Sequence, residues 1–142
     1  MNRIFVALVL SFFSFPVLAD GHATGDAEAG KKAFNKCKSC HMIVSDEGDV
    51  IVKGGKTGPN LWNIASRSMG TLEGFKYSKL MVAAAEQELL MDEANFHAYL
   101  SDPTAWIQEA IGGKGKSKML KQRVKEKDAV NIWAFLAAHS DS

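Results

Sequence analysis

The chain has 142 residues, 46% of them hydrophobic and 23% charged, with 17 Lys+Arg against 16 Asp+Glu. That length fits one domain with one core, and the composition excludes a disordered or membrane-spanning class. Near-neutral net charge speaks against general nucleic-acid binding.

The first nineteen residues stand apart. Arg3 precedes an apolar stretch from Ile4 to Phe15, Pro16 breaks it, and Val17-Leu18-Ala19 leads into Asp20. This is the pattern of a secretory signal peptide, residues 1–19, cleaved after Ala19. Roughly a dozen apolar residues are too few for the ~20 of a spanning helix. No second apolar run is long enough either. The mature domain, 20–142, is therefore expected to be soluble and periplasmic, without stable membrane insertion. Losing Arg3 leaves 16 basic against 16 acidic residues, unevenly placed. Glu86, Glu88, Asp92, Glu93, Asp102 and Glu109 form an acidic stretch. Lys114, Lys116, Lys118, Lys121, Arg123, Lys125 and Lys127 then face Glu126 alone. Such a dipole suits oriented docking.

Residues 20–25 read as a loose arm. Asp26 is placed to cap a helix through AEAGKKAFNKC, in which Gly30, Phe34 and Cys37 share a face. The loop SDEGDVIVKGGKTGPN follows, with a hairpin-like turn at Gly48 and another turn at Thr57-Gly58-Pro59-Asn60. Leu61 to Ala65 reads as one helical turn. Ser78 is expected to cap KLMVAAAEQEL, and Asp92 to cap EANFHAYL, which Pro103 ends. Thr104 is expected to cap AWIQEAI, which Gly112-Gly113 stops. A lysine-rich loop runs to Arg123. KEKDAVNIWAFLAAH forms the last helix, with Ile132, Phe135 and Leu136 at i, i+3 and i+4. The sum is an all-α protein of four to five helices. Loops 42–60 and 112–123 are long for its size, and a large apolar cofactor would give them something to wrap.

Both cysteines lie in Cys37-Lys38-Ser39-Cys40-His41. A structural zinc site needs four ligands, but no further cysteine exists and His97 and His139 are scattered. A thioredoxin-like centre needs a βαβ context. A disulfide across two intervening residues suits an oxidising compartment but would staple almost nothing. C-x-x-C-H is the attachment signature of haem c. Two thiols one helical turn apart add across the vinyl groups, and the following histidine offers its imidazole to the iron.

An iron with an open sixth position binds gases or peroxide, whereas a filled one passes electrons, and methionine there raises the potential. Met42 adjoins His41 and cannot reach the far side. Met81 and Met91 belong to or flank an apolar helix and read as core, and Met69 in a polar loop is a weak contender. Met119 lies in KGKSKMLKQR with Leu120 as its only apolar neighbour, where a bond to iron explains it better than packing. His22, His97 and His139 are weaker candidates.

With AEAGKKAFNKCKSCH, KTGPNL, SKM and NIWAFL in this order, the mature chain resembles the class I cytochromes c, of the bacterial cytochrome c2 type. The resemblance implies that fold around one haem c, with thioethers at Cys37 and Cys40 and iron ligands His41 and Met119. It further implies that the Pro59 carbonyl accepts the imidazole N–H, and that Arg67 and Tyr77 stand at a haem propionate or its surroundings. Tyr99 would lie near the axial sulfur, Ser117 at a Thr position before the ligand, and Gly30, Phe34 and Phe135 at a helix crossing. Two positions depart from the family. Met91 stands where it has a Trp donating to a propionate, and Lys121 where many relatives carry Phe at the haem edge. A wetter propionate side, an altered reduction potential and a weaker Met119 bond are expected.

The function these readings predict is a periplasmic electron carrier, monomeric and not an enzyme. Lys36, Lys38, Lys56, Lys114, Lys116, Lys118 and Lys121 are candidates for a basic rim that steers acidic partner proteins. By resemblance, a cytochrome bc complex supplies the electron, and a photosynthetic reaction centre, terminal oxidase or denitrification enzyme takes it. The rival is a haem enzyme or ligand sensor, peroxidase-like, with Met119 labile or absent from the iron.

Overall fold

The computed structural model describes residues 23–140. Helix α1 (Ala27–Ala33) runs into a 3-10 turn (Phe34–Lys36), followed by the strands β1 (Ile43–Val44) and β2 (Val50–Val52). Helices α2 (Lys79–Glu86), α3 (Glu93–Ser101), α4 (Pro103–Ile111) and α5 (Glu126–Ala137) complete the order. The leader and His22 lie outside the described residues. Among the described residues no helix is long and apolar enough to cross a membrane.

The frame is the crossing of α1 and α5. The Asp26 carboxylate accepts from the Glu28 and Ala29 N–H groups at 2.9 and 3.0 Å. Its own N–H donates to Asn131 Oδ1 at 2.9 Å, so the cap also ties α1 to α5. A Cβ on Gly30 would lie 1.9 Å from the Asn131 carbonyl oxygen. Only glycine lets the two backbones meet there. One turn further, Phe34 packs on Phe135 with ring centroids 5.7 Å apart. Ile132 and Leu136 are buried beside them, so the expected stripe on α5 is core. Phe96 on α3 meets Trp133 on α5 at 5.3 Å.

Several local expectations are corrected. The arm is tied at residues 24 and 25: the Thr24 N–H donates to Glu93 Oε2 at 2.7 Å, its hydroxyl to Glu93 Oε1, and Gly25 lies against the Val130 backbone. Helix α1 tightens after Ala33, so Cys37 lies beyond it. Residues 62–66 form turns, not a helix. Gly48, at φ 92°, lies in the turn between the paired strands β1 and β2.

Helix α2 stops at Glu86, three residues early, with Glu88 at φ 52°. There the Leu89 N–H turns back to the Ala84 carbonyl at 3.0 Å, and the Leu89 carbonyl accepts the Met69 N–H at 2.8 Å. The cap of α4 is Asp102, not Thr104: its carboxylate accepts the Ala105 N–H at 3.1 Å. Pro103 therefore starts a helix as well as ending one, at the position where its missing N–H costs nothing. Gly112, at φ 64°, closes α4 as expected.

Candidate functional site

The cysteine motif closes one turn of chain, with the His41 and Cys40 N–H groups both directed to the Cys37 carbonyl at 2.9 and 3.1 Å. The glycine-rich loop then lies along it backbone to backbone. The Gly55 N–H donates to Lys38 O and the Gly58 N–H to Cys40 O, both at 2.8 Å, and the Leu61 N–H donates to Met42 O at 3.0 Å. A Cβ on Gly58 would sit 2.4 Å from His41 Cε1, so the close approach needs glycine. The ring it covers is buried, with Nδ1 2.8 Å from the Pro59 carbonyl. Nδ1–H donates, which leaves Nε2 as the lone-pair nitrogen. Burial holds the imidazole pKa below its usual 6.5, against the opposing bond to Pro59. A neutral ring is the form that binds a metal.

The two thiols differ. Burial, with Cys40 adding and Lys36 opposing, pushes half-buried Cys37 up to about 11. Cys40 is exposed, and hydrogen bonds from Thr57 and then Ser39 hold its thiol below the usual value. No disulfide joins the two sulfurs. Among the described residues no three His, Cys, Asp or Glu side chains gather into a metal-binding group.

Cys37, Cys40, His41 and Pro59 line a cleft of ≈ 340 Å³. The rest of its lining includes Met69, Tyr77, Met81, Met91, Tyr99, Ser117 and Met119. The Met119 N–H donates to Ser117 Oγ at 3.1 Å, and the Ser117 N–H to Thr104 Oγ1 at 3.0 Å. The Tyr99 hydroxyl donates to Met119 Sδ at 3.4 Å. Burial, with Tyr77 adding, raises the Tyr99 pKa, so this donor keeps its proton. Met69 lies in a loop as expected, but it is 5% exposed and lines the cleft. Met81 and Met91 are buried as expected.

Arg67 does not line this cleft. Its Nη2 donates to the Asn60 carbonyl at 2.7 Å, and it lines a neighbouring cavity with Asn60 and Trp62. Nε and Nη1 are buried with no partner. Two idle nitrogens on a half-buried cation make an incomplete anion site, which a carboxylate entering beside Asn60 would complete.

The predicted rim lysines are all exposed, but they are not alike. Lys36 lies 3.7 Å from Asp128, and Lys118 Nζ donates to the Lys76 carbonyl at 2.6 Å; both line the cleft. Lys121 turns to Asp102, 2.6 Å away, and is not part of the lining. Leu120, 77% exposed, takes that place. Sequence reasoning gave Thr57 a turn and Thr104 a helix cap, and neither a part in the site. Their only signal was a threonine beside a motif or a helix start.

No protein-family model matches the chain. It is 48% identical to cytochrome c-551 of Roseobacter denitrificans over 139 residues, covering 96% of this chain and 94% of that protein. Against cytochrome c2 of Cereibacter sphaeroides it is 44% identical over 134 residues, covering 92% and 90%. The chain belongs to the cytochrome c2 family. Its fold matches the X-ray structure of cytochrome c2 from Rhodobacter sphaeroides with a TM-score of 0.77 at 44% identity, over 83% of this chain and 99% of that one. The architecture is thus that of the class I cytochromes c, which carry one covalently bound haem c and transfer electrons. The cleft fits that group, with an apolar lining, two thiols one turn apart and a neutral imidazole, and outside the cleft Arg67 has idle donors suited to a propionate.

Proposed function

We propose that this cytochrome is a periplasmic mono-haem electron carrier and not an enzyme. Cys37 and Cys40 would hold the haem through thioethers, and His41 and Met119 would ligate its iron. One observation carries the reading: in the cleft that holds His41, Met119 is fixed at its backbone by Ser117 and at its sulfur by Tyr99. A methionine that only filled space would need no donor on its sulfur.

Haem c bound here supplies a reversible Fe(III)/Fe(II) couple. The protein sets the conditions. The Pro59 carbonyl orients His41 and strengthens its donor nitrogen. Tyr99 aims the thioether, and Met69, Met81 and Met91 keep water from the cleft. With both ligands retained and little water to reorganise, the electron passes at low cost. Arg67 offers its two idle nitrogens to a propionate. Tyr77 lines the cleft and belongs to the same surroundings.

Lys38, Lys56, Lys114, Lys116 and Lys118 form the basic rim that steers acidic partners, and Lys36 and Lys121 contribute less because Asp128 and Asp102 offset their charges. The electron donor is a cytochrome bc complex, and the acceptor a reaction centre, terminal oxidase or denitrification enzyme.

The ferric optical spectrum tests the ligation. A Met–Fe(III) charge-transfer band should be present, and Met119→Ala should abolish it and open the iron to cyanide. Rapid cyanide binding by the wild type would favour the enzyme-like reading instead. Docking has its own test: the rate of electron transfer with an acidic partner should fall as ionic strength rises, and a salt-independent rate would remove the steering role.

A further inference from the structure

We propose that the first turn of α4 is a two-point clamp on the loop that carries Met119, with Thr104 and Asp102 as its positioning residues. The proposal rests on Met119 as the iron ligand. No helix or strand lies between Ile111 and Glu126. Something other than a main-chain ladder must therefore hold the sulfur in place. Two residues before Met119, the Ser117 N–H donates to Thr104 Oγ1 at 3.0 Å, and Ser117 Oγ in turn accepts the Met119 N–H. Two residues after it, Lys121 Nζ lies 2.6 Å from Asp102 Oδ2. The anchors thus flank the ligand symmetrically, and both sit at the start of one helix.

Asp102 is well placed for this. Its Oδ1 accepts the Ala105 N–H as the cap of α4, which leaves Oδ2 for Lys121. Lys121 is the largest cause holding that carboxyl below its ordinary value. The lysine side chain is 70% exposed, so it fills no core and its ammonium is its anchored atom. Next to it, the Gln122 N–H donates to the Leu100 carbonyl at 2.7 Å, and the loop leaves the site fixed. An exposed ion pair adds little to global stability. Its effect falls on local opening of the loop, the event that lets Met119 leave the iron.

The test is the rate at which imidazole displaces Met119 in the ferric holoprotein, followed by loss of the charge-transfer band. Thr104→Val removes the acceptor but keeps the shape, and should speed displacement roughly five- to tenfold; Thr104→Ser should restore the wild-type rate. Asp102→Asn still caps the helix but loses the charge, and should speed it about two- to threefold. Added salt should speed displacement in the wild type and not in Asp102→Asn. Gln87→Ala, whose side chain reaches Ile111 O at the other end of α4, should leave the rate unchanged. Wild-type rates in both Thr104→Val and Asp102→Asn would overturn the clamp, as would equal acceleration in Gln87→Ala. A wild type without the band would overturn Met119 ligation and the clamp together, which separates the two failures.

Discussion

The cleft has two kinds of lining, and they are held by different physics. Around His41 the chain is fixed by its own backbone: the bonds from Gly55, Gly58 and Leu61 lay one segment along another. Around Met119 the main chain makes no such ladder, and the side chains of Thr104, Ser117, Tyr99 and Asp102 do the holding. A backbone register can be changed only by moving two strands of chain, whereas a side-chain tether can be cut singly. The His41 part should therefore fail all at once and the Met119 part by degrees.

The largest effect should come from breaking the His41 part. In Gly58→Ala the new methyl would meet three atoms of the imidazole at 2.4 to 2.8 Å. The ring cannot turn away without losing Pro59, its neighbour's own carbonyl. Overpacking of this kind costs about 1–3 kcal/mol. Chemical denaturation should show that loss, and the yield of haem-loaded protein should fall with it. Met119→Ala should by contrast leave both nearly intact while abolishing the charge-transfer band. Equal stability losses in the two variants would erase the contrast between the two linings.

This division also explains what could be read in advance. Cys37, Cys40 and His41 are contiguous, so their chemistry is written in five letters. The caps Asp26, Ser78 and Asp92, the Gly112 stop and the α5 stripe are local signals of the same kind, and each is realised. Signals that depend on distant chain were misread. Gln87-Glu88-Leu89 are good helix formers, yet α2 ends before them because the Met69 N–H claims the Leu89 carbonyl. The same contact carries Met69 into the core, though its neighbours in sequence are polar. Asp102-Pro103-Thr104 held a usable clue that was given the wrong weight: a proline read as a stop also starts a helix, and the cap moves to the aspartate before it. Arg67 was expected at a propionate or its surroundings; its bond to Asn60 and its idle nitrogens are legible only in the folded chain.

A smaller change sharpens the comparison, because it touches Met119 without freeing its loop. Tyr99→Phe removes the hydroxyl that donates to Met119 Sδ and keeps the ring that packs on Trp106 at 5.7 Å. Sulfur is a weak acceptor, so stability should fall by no more than about 1 kcal/mol. The electronic effect has a definite sign. A hydrogen bond draws electron density from the thioether and makes it a poorer donor to ferric iron. Removing that bond favours the ferric state, and the reduction potential should fall. A bond of roughly 0.5–1 kcal/mol corresponds to about 20–40 mV for one electron. Redox titration reads the shift directly, and the charge-transfer band reports whether the sulfur stays bound. A lowered potential with the band intact would mean that Tyr99 tunes the ligand while the loop holds it. Loss of the band would make the hydroxyl a tether like Thr104, and the Met119 lining would then depend on every one of its side-chain contacts.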